Sequence, residues 1–251
     1  MRTVSFLSLS CFCLIVLAVA AESACAGDNT EDVVVTATRT AEPVEKTGES
    51  VSVITAEQLA VQQIVFVGDA LQESPGLVLV RNGGLGQNAT VALRGAEAGQ
   101  TLVLIDGVRI NDPSTVDNEA LLGDLLVNNI ERIEILRGPQ STLYGSDAIG
   151  GVIDILTRRG GDDPFALRAS AEGGSFDTYH VNLGTSGTVS DVEYGVAANF
   201  LHTNGISAAD SRNGNPETDG YTNAGVTENV HVHLNETISI DFRSYYTNAR
   251  D

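Results

Sequence analysis

The chain has 251 residues, with 33 acidic and 14 basic side chains and a net charge of −19. That balance excludes a nucleic-acid binder working through a basic face, because phosphate contacts need Lys and Arg. Mean hydropathy is near zero and nothing after the amino-terminal run is apolar enough for a membrane helix, yet alternating strands of a membrane β-barrel average to the same neutral value.

Residues 1–26 read as an export signal. Arg2 supplies the positive start, residues 6–21 form an apolar run interrupted only by Ser8 and Ser10, and Ala24-Cys25-Ala26 gives a small-residue cleavage site. Ala18-Val19-Ala20 is a second candidate site, and a lipoprotein at Cys25 is a third reading. Cleavage after Ala26 removes Cys11, Cys13 and Cys25, which are all the cysteines, and leaves the net charge at −19. The mature chain then forms no disulfide and no cysteine-ligated metal site. In the segment 27–40, the stretch EDVVVTATRT sets three valines among threonines, which is strand chemistry. No turn residues offer it a neighbouring strand, and an unpaired strand is a liability unless something is meant to pair with it.

Residues 41–161 alternate strand and helix signals and predict a small α+β domain, large enough for one core. A strand at 50–54 runs into Thr55-Ala-Glu-Gln58, a capping box that opens a helix to about residue 63. A second helical turn at 68–74 is stopped by Pro75-Gly76. Strand-like runs follow at 77–80, 89–93, 102–105, 133–136 and 152–156. A leucine-rich helix is expected at 119–127 and a short one after Gly138-Pro139.

After Gly160-Gly161 the texture changes, and residues 162–251 predict about five longer, strictly alternating strands. In 229–235, Val230, Val232 and Leu234 point one way while Asn229, His231, His233 and Asn235 point the other. The runs 191–201 and 237–245 repeat the pattern. A soluble sandwich would turn the apolar face inward, whereas a transmembrane barrel turns it to lipid. Short links near Gly173-Gly174, Gly187 and Asn235-Glu236, set against a long polar link at 203–220, favour the barrel. An open sheet cannot stand in lipid with unsatisfied edges, so further strands are expected beyond Asp251.

Four constellations bear on chemistry. Gly84-Leu-Gly86-Gln-Asn-Ala89 is a superficial dinucleotide fingerprint, but strand-like residues follow where a helix should cradle the pyrophosphate. His231 and His233 share one strand face without a third ligand and read as lumen-facing polar residues. The loop 210–220 gathers carboxylates and amide oxygens suited to a hard cation, without ordered calcium-loop spacing. Arg94 and Arg137 each end an apolar run as Leu-Arg-Gly, and a charge there needs an acid, either inside the small domain or on a surrounding wall. No catalytic triad or activated cysteine is present, so no enzyme is expected.

With these residues assembled, the chain resembles the TonB-dependent outer-membrane receptors. IERIEILRGPQSTLYGSDAIGGVIDILTRR (130–159) is similar to the family's plug signature, and ATVALRG, TLVLIDGVRIND and the ESPGL turn match other plug blocks. Within the family, NGGLGQ, LVLIDGVR and YGSDAIGGV are most similar to the cobalamin receptors. The resemblance implies an α+β plug domain followed by the first strands of a large transmembrane β-barrel. It implies that Asp32, Val33, Val34, Val35, Thr36 and Ala37 are a TonB box that pairs with TonB as an added strand. It implies that Arg94 and Arg137 meet glutamates on later barrel strands, and that loops 81–90 and 108–118 present substrate, with Leu85, Gln87, Asn88, Asn111 and Val116 as contacts. Glu217 and Asp219 partly match a structural calcium site, although Thr247 stands where a further acid is expected. The partners implied are TonB, outer-membrane lipid, and cobalamin or a ferric siderophore, with no required cofactor. A non-transporting surface receptor or adhesin is the competing class.

Overall fold

A computed structural model of the protein describes residues 33–34, 42–43, 48, 50–207, 214 and 218–251. The expected signal at 1–26 lies outside the described residues, as do Asp32, Val35, Thr36, Ala37 and Glu217. The valine run, expected to have no neighbouring strand, has one. β1 (Val33–Val34) pairs antiparallel with β2 (Glu42–Pro43), so this short stretch of backbone finds its partner a few residues on.

The plug is built on a mixed sheet. β3 (Ser50–Thr55), β8 (Ile130–Arg137), β9 (Gly151–Thr157), β6 (Thr101–Ile105) and β7 (Val108–Arg109) lie in that spatial order, with β6 and β9 parallel and the other neighbours antiparallel. The hairpin β4 (Leu77–Arg81) and β5 (Ala89–Leu93) forms a second small sheet. α1 (Ala56–Val61) starts where the capping box predicts: the Thr55 hydroxyl accepts from Gln58 N at 3.3 Å and the Gln58 side chain accepts from Thr55 N at 3.0 Å. α2 (Val67–Gln72) precedes Pro75, and Gly76 takes the positive φ of 77° that the turn there requires. α3 (Ser141–Tyr144) is a single turn.

The central strands read as continuous apolar runs because both their faces are covered. Ile133, Ile135, Ile153 and Ile155 pack into the main core with Leu71 and Leu93, while Leu136 and Val152 pack on the opposite face with Leu102 and Leu104.

The leucine-rich stretch 119–127 is not a helix. Its backbone bonds are taken by other segments: Leu122 N donates to Ala89 O at 2.8 Å, Leu125 O accepts from Val67 N at 2.9 Å, and Val127 N donates to Val65 O at 2.9 Å. Gly123 lies so close to the carbonyl of Gln87 that any side chain would strike it. The buried leucines thus follow an irregular path that fits two neighbours, which helical spacing alone does not reveal.

The second region is a five-stranded antiparallel meander. It runs β10 (Ala166–Gly174), β11 (Thr178–Val189), β12 (Val192–Thr203), β13 (Tyr221–His233) and β14 (Ser239–Arg250), each paired with the next. Two of its details differ from expectation. Of the run at 229–235, residues 229–233 are only the distal part of β13, and 234–235 belong to the link that follows. Gly187 is inside β11 rather than in a link, because the chain crosses it at Pro164 O so closely that no Cβ fits; the turn falls at Ser190-Asp191.

Which face is covered decides between sandwich and barrel. The plug packs on the polar face, burying His180, Ser186, Asn223, Thr227 and Asn229. The apolar face is bare, with Leu183 52%, Ile240 54% and Phe242 56% exposed. A soluble sandwich would bury these side chains; a barrel wall offers them to lipid. The five strands are the start of such a wall, not closed into a barrel within this chain.

Candidate functional site

The wall has two rims. The long link 204–220 and the turn 175–177 share one, and the short links 190–191 and 234–238 share the other. In outer-membrane barrels long loops face outward and short turns face the periplasm.

Plug loop 82–88 lies at the long-link rim. A Cβ on Gly86 (φ 78°) would sit 2.5 Å from the ring of Tyr221, at the start of β13. Only glycine lets the loop lie flat on that ring. The Gln87 side chain donates to Asp251, Leu85 is 40% exposed, and Asn88 O accepts from Asn82 N at 2.9 Å across the loop mouth. Leu85, Gln87 and Asn88 are therefore presented together, beside the wall.

The other expected contacts divide. Val116 is fully exposed at the tip of the link after β7. Asn111, by contrast with the expectation, is not available as a contact. It is buried, its Oδ1 accepts from Val103 N at 2.9 Å, and its Nδ2 donates to Thr101 O and Asn118 O. A short polar side chain beside a strand edge is as suited to bracing as to binding, and here every polar atom is occupied by the fold. Among the described residues no hydrogen bond joins loop 82–88 to link 112–118. The latter leans instead on Gly99, through Asp117, and on Asp147, through Asn118.

Arg94 and Arg137 occupy one end of the plug sheet. Arg94 follows β5 with φ 52°, and its guanidinium lies 3.4 Å from where a Cβ of Gly138 would be. Arg137 is 8% exposed; its Nε donates to Pro75 O at 2.9 Å and one terminal nitrogen to Ser52 Oγ at 2.7 Å. Its other terminal nitrogen is buried without a hydrogen-bond partner among the described residues. Burial first, and then the neighbouring Arg94 cation, push the Arg137 guanidinium below its ordinary value. Neither arginine forms an ion pair among the described residues.

Asp106 was not singled out as a site residue, yet it organises the other end of the sheet. Asp106 and Gly107 both have positive φ, as the tight β6–β7 hairpin demands. The Asp106 carboxylate accepts from Thr157 N at 2.8 Å and Thr157 Oγ1 at 2.6 Å. Asp154 accepts from Gly107 N at 3.2 Å. Burial raises both carboxyls, that of Asp154 to about 6, against the lowering effect of these hydrogen bonds.

Tyr221 was also missed, since a tyrosine opening a strand carries no local signal. It is 1% exposed, donates to Asp124 Oδ1 at 2.8 Å and packs with Phe66, Leu126 and Leu201. Asn223 Nδ2 donates to Asp124 O at 3.1 Å and to Tyr221 Oη at 2.8 Å. His231 and His233 do face inward, but they meet Asp241 and Glu193, and no cluster of three metal ligands occurs among the described residues. Asp219 is in the long link, with its backbone N donating to Ile206 O at 3.3 Å.

Residues 43–152 match the family model described as the TonB-dependent receptor plug domain. Over 224 residues the chain is 33% identical to the vitamin B12 transporter BtuB of Photobacterium profundum, covering 88% of this chain and 36% of that protein. The chain thus spans about a third of the length of this relative. Among solved structures, the ferripyoverdine receptor of the outer membrane of Pseudomonas aeruginosa superposes with a TM-score of 0.69 at 17% identity, over 87% of this chain and 27% of that one. The siderophore receptor PirA of Acinetobacter baumannii does so with a TM-score of 0.60 at 25% identity, over 78% and 31%.

Proposed function

The chain belongs to the TonB-dependent receptors, and from that premise we propose that it is the amino-terminal part of an outer-membrane active transporter for cobalamin. The observation that carries the reading is the 33% identity to a vitamin B12 transporter, which runs through plug and wall alike.

In this reading substrate docks from outside on Leu85, Gln87 and Asn88, which sit at the long-link rim, and on Val116. Binding shifts the ensemble so that Asp32, Val33, Val34, Val35, Thr36 and Ala37 are offered to TonB in the periplasm. The short β1–β2 ladder gives this step a physical form: two residues of pairing are weak enough to exchange for a strand of TonB. Pulling on that strand remodels the plug and lets substrate through. Arg94 and Arg137 meet acids on wall strands beyond Asp251, a role supported by the buried unpartnered nitrogen of Arg137. Glu217 and Asp219 contribute to a calcium site in the long link. The chemistry is binding and force transmission, with no catalytic residue and no required cofactor. A ferric-siderophore substrate is the second reading, favoured by the ferripyoverdine and PirA receptors among the structural neighbours.

The test is equilibrium binding of cyanocobalamin and of a ferric siderophore to the full-length receptor, with uptake in cells carrying or lacking TonB. Tight binding of cyanocobalamin and TonB-dependent uptake, abolished by Val34→Pro, are expected. Binding of the siderophore alone overturns the substrate, and uptake indifferent to TonB or to the proline overturns the mechanism.

A further inference from the structure

One row breaks the apolar outer face of the wall. The register sets Leu167, Thr185, Val196, Glu228 and Ser244 side by side across β10 to β14. All five point away from the plug, because their chain neighbours Ser186, Ala197, Thr227 and Asn229 are the ones buried on the inner face. Glu228 is half-buried, and among the described residues its side chain has no hydrogen bond and no ion pair. The nearby guanidiniums are engaged elsewhere. Arg243 points inward to Asp241 at 3.2 Å, and Arg250, although on the outer face, is six residues beyond Ser244.

Depth makes this carboxylate costly. β13 has 13 residues, and Glu228 is the eighth. At about 3.3 Å per residue and a tilt of about 40°, it stands about 13 Å from the short-link rim and about 18 Å from the other. That is the middle of the apolar band, where lipid offers a charge nothing to pair with. The same carboxylate is framed by rings. Phe242 and Tyr246 flank Ser244 on β14, opposite Val230 and Val226, so each lies diagonally across from Glu228. They are 56% and 59% exposed. A carboxylate between two bare aromatic rings is a recognition set for a cation, which both kinds of group attract.

We infer that this patch is a lateral docking surface for a membrane-spanning partner that presents a Lys or Arg at mid-depth of the bilayer. Away from the partner, Glu228 escapes its charge by holding a proton; against it, the proton passes to water and the ion pair closes. Since the lone acid is costly, the pair confers choice of partner more than affinity. Two other occupants match the patch less well. A lipid amine sits at headgroup level, more than about 10 Å away. A second copy in a two-fold pair would set Glu228 against Glu228.

The test uses the full-length receptor in phosphatidylcholine vesicles, and its first arm needs no variant. Lipid-soluble dicyclohexylcarbodiimide is expected to modify Glu228 at least about tenfold faster than a charged, water-soluble carbodiimide, which lipid excludes. A leucine-rich single-span helix with one central lysine is expected to slow that modification several-fold, and the same helix with a central leucine is not. Glu228→Gln is expected to weaken binding of the lysine helix several-fold, followed by energy transfer, while leaving cyanocobalamin binding unchanged. Equal modification by the two reagents, equal protection by the two helices, or lysine-helix binding indifferent to Glu228→Gln overturns the inference. Protection by added phosphatidylethanolamine would assign the carboxylate to a lipid amine, and protection that grows with receptor density alone would assign it to a second copy; either overturns the membrane-spanning partner. Modification needs neither nutrient nor TonB, so its outcome is independent of which substrate the receptor carries.

Discussion

The plug sheet and the wall sheet follow opposite rules within one chain. In the plug, β8 and β9 bury both faces, and nearly every residue from Ile130 to Thr157 on these strands is apolar or braced. In the wall, each strand alternates, and the covered face is the polar one while Phe242 and Ile240 stand bare. The difference teaches that hydrophobicity reports which surface meets which medium, not which surface is inside. Water surrounds the plug's exposed parts and demands an apolar interior, whereas lipid around the wall demands an apolar exterior.

That contrast can be broken from either side, and the largest effect is expected in the plug. Leu93→Ala removes a fully buried side chain packed against Gly151 and is expected to cost about 2–5 kcal/mol, read by denaturant unfolding of the refolded protein. On the wall, Val226→Arg puts a charge on the bare face in the middle of β13. It is expected to destabilise the folded barrel in bilayers by about 2–4 kcal/mol while leaving plug spectra unchanged. Equal tolerance of both changes would erase the distinction.

The next effect sharpens the picture of the plug interior. Asp154 is 6% exposed, and burial raises its folded-state carboxyl from 3.8 to about 6. A raised carboxyl favours the protonated fold: its contribution is fully present below about pH 3.8 and is lost as pH rises through about 6. The loss amounts to about 3 kcal/mol, with Asp106 acting in the same direction. Asp154→Asn is expected to flatten plug stability between pH 4 and pH 7, measured by thermal unfolding; an unchanged slope would move the effect elsewhere. The smallest effect joins the two regions. Tyr221→Phe keeps the ring on Gly86 but drops the bond to Asp124. About 1–2 kcal/mol less protection of the amides at 122–127 is expected in hydrogen exchange.

Much of this was legible residue by residue. The Thr55 capping box and the strand runs of the plug are local chemistry and fall where the sequence places them. The alternation of 191–201 and 237–245 likewise predicted wall strands. The stretch 119–127 misled, because its buried leucines answer to Ala89, Val65 and Val67, partners distant in sequence. Asn111 misled for a related reason: a polar residue in a loop looks available until the strand edge that consumes it is known. Tyr221 and Asp124 carry no local pattern at all.

By itself the sequence determined the two textures and the plug motifs, because helix caps and strand alternation depend on neighbours within a few residues. Only the tertiary structure decided that the wall's polar face meets the plug and that Asn111 is a brace. Those outcomes depend on how separate segments meet, seven to ten residues apart for the Asn111 bonds and 97 apart for Tyr221 with Asp124, and no local propensity encodes them.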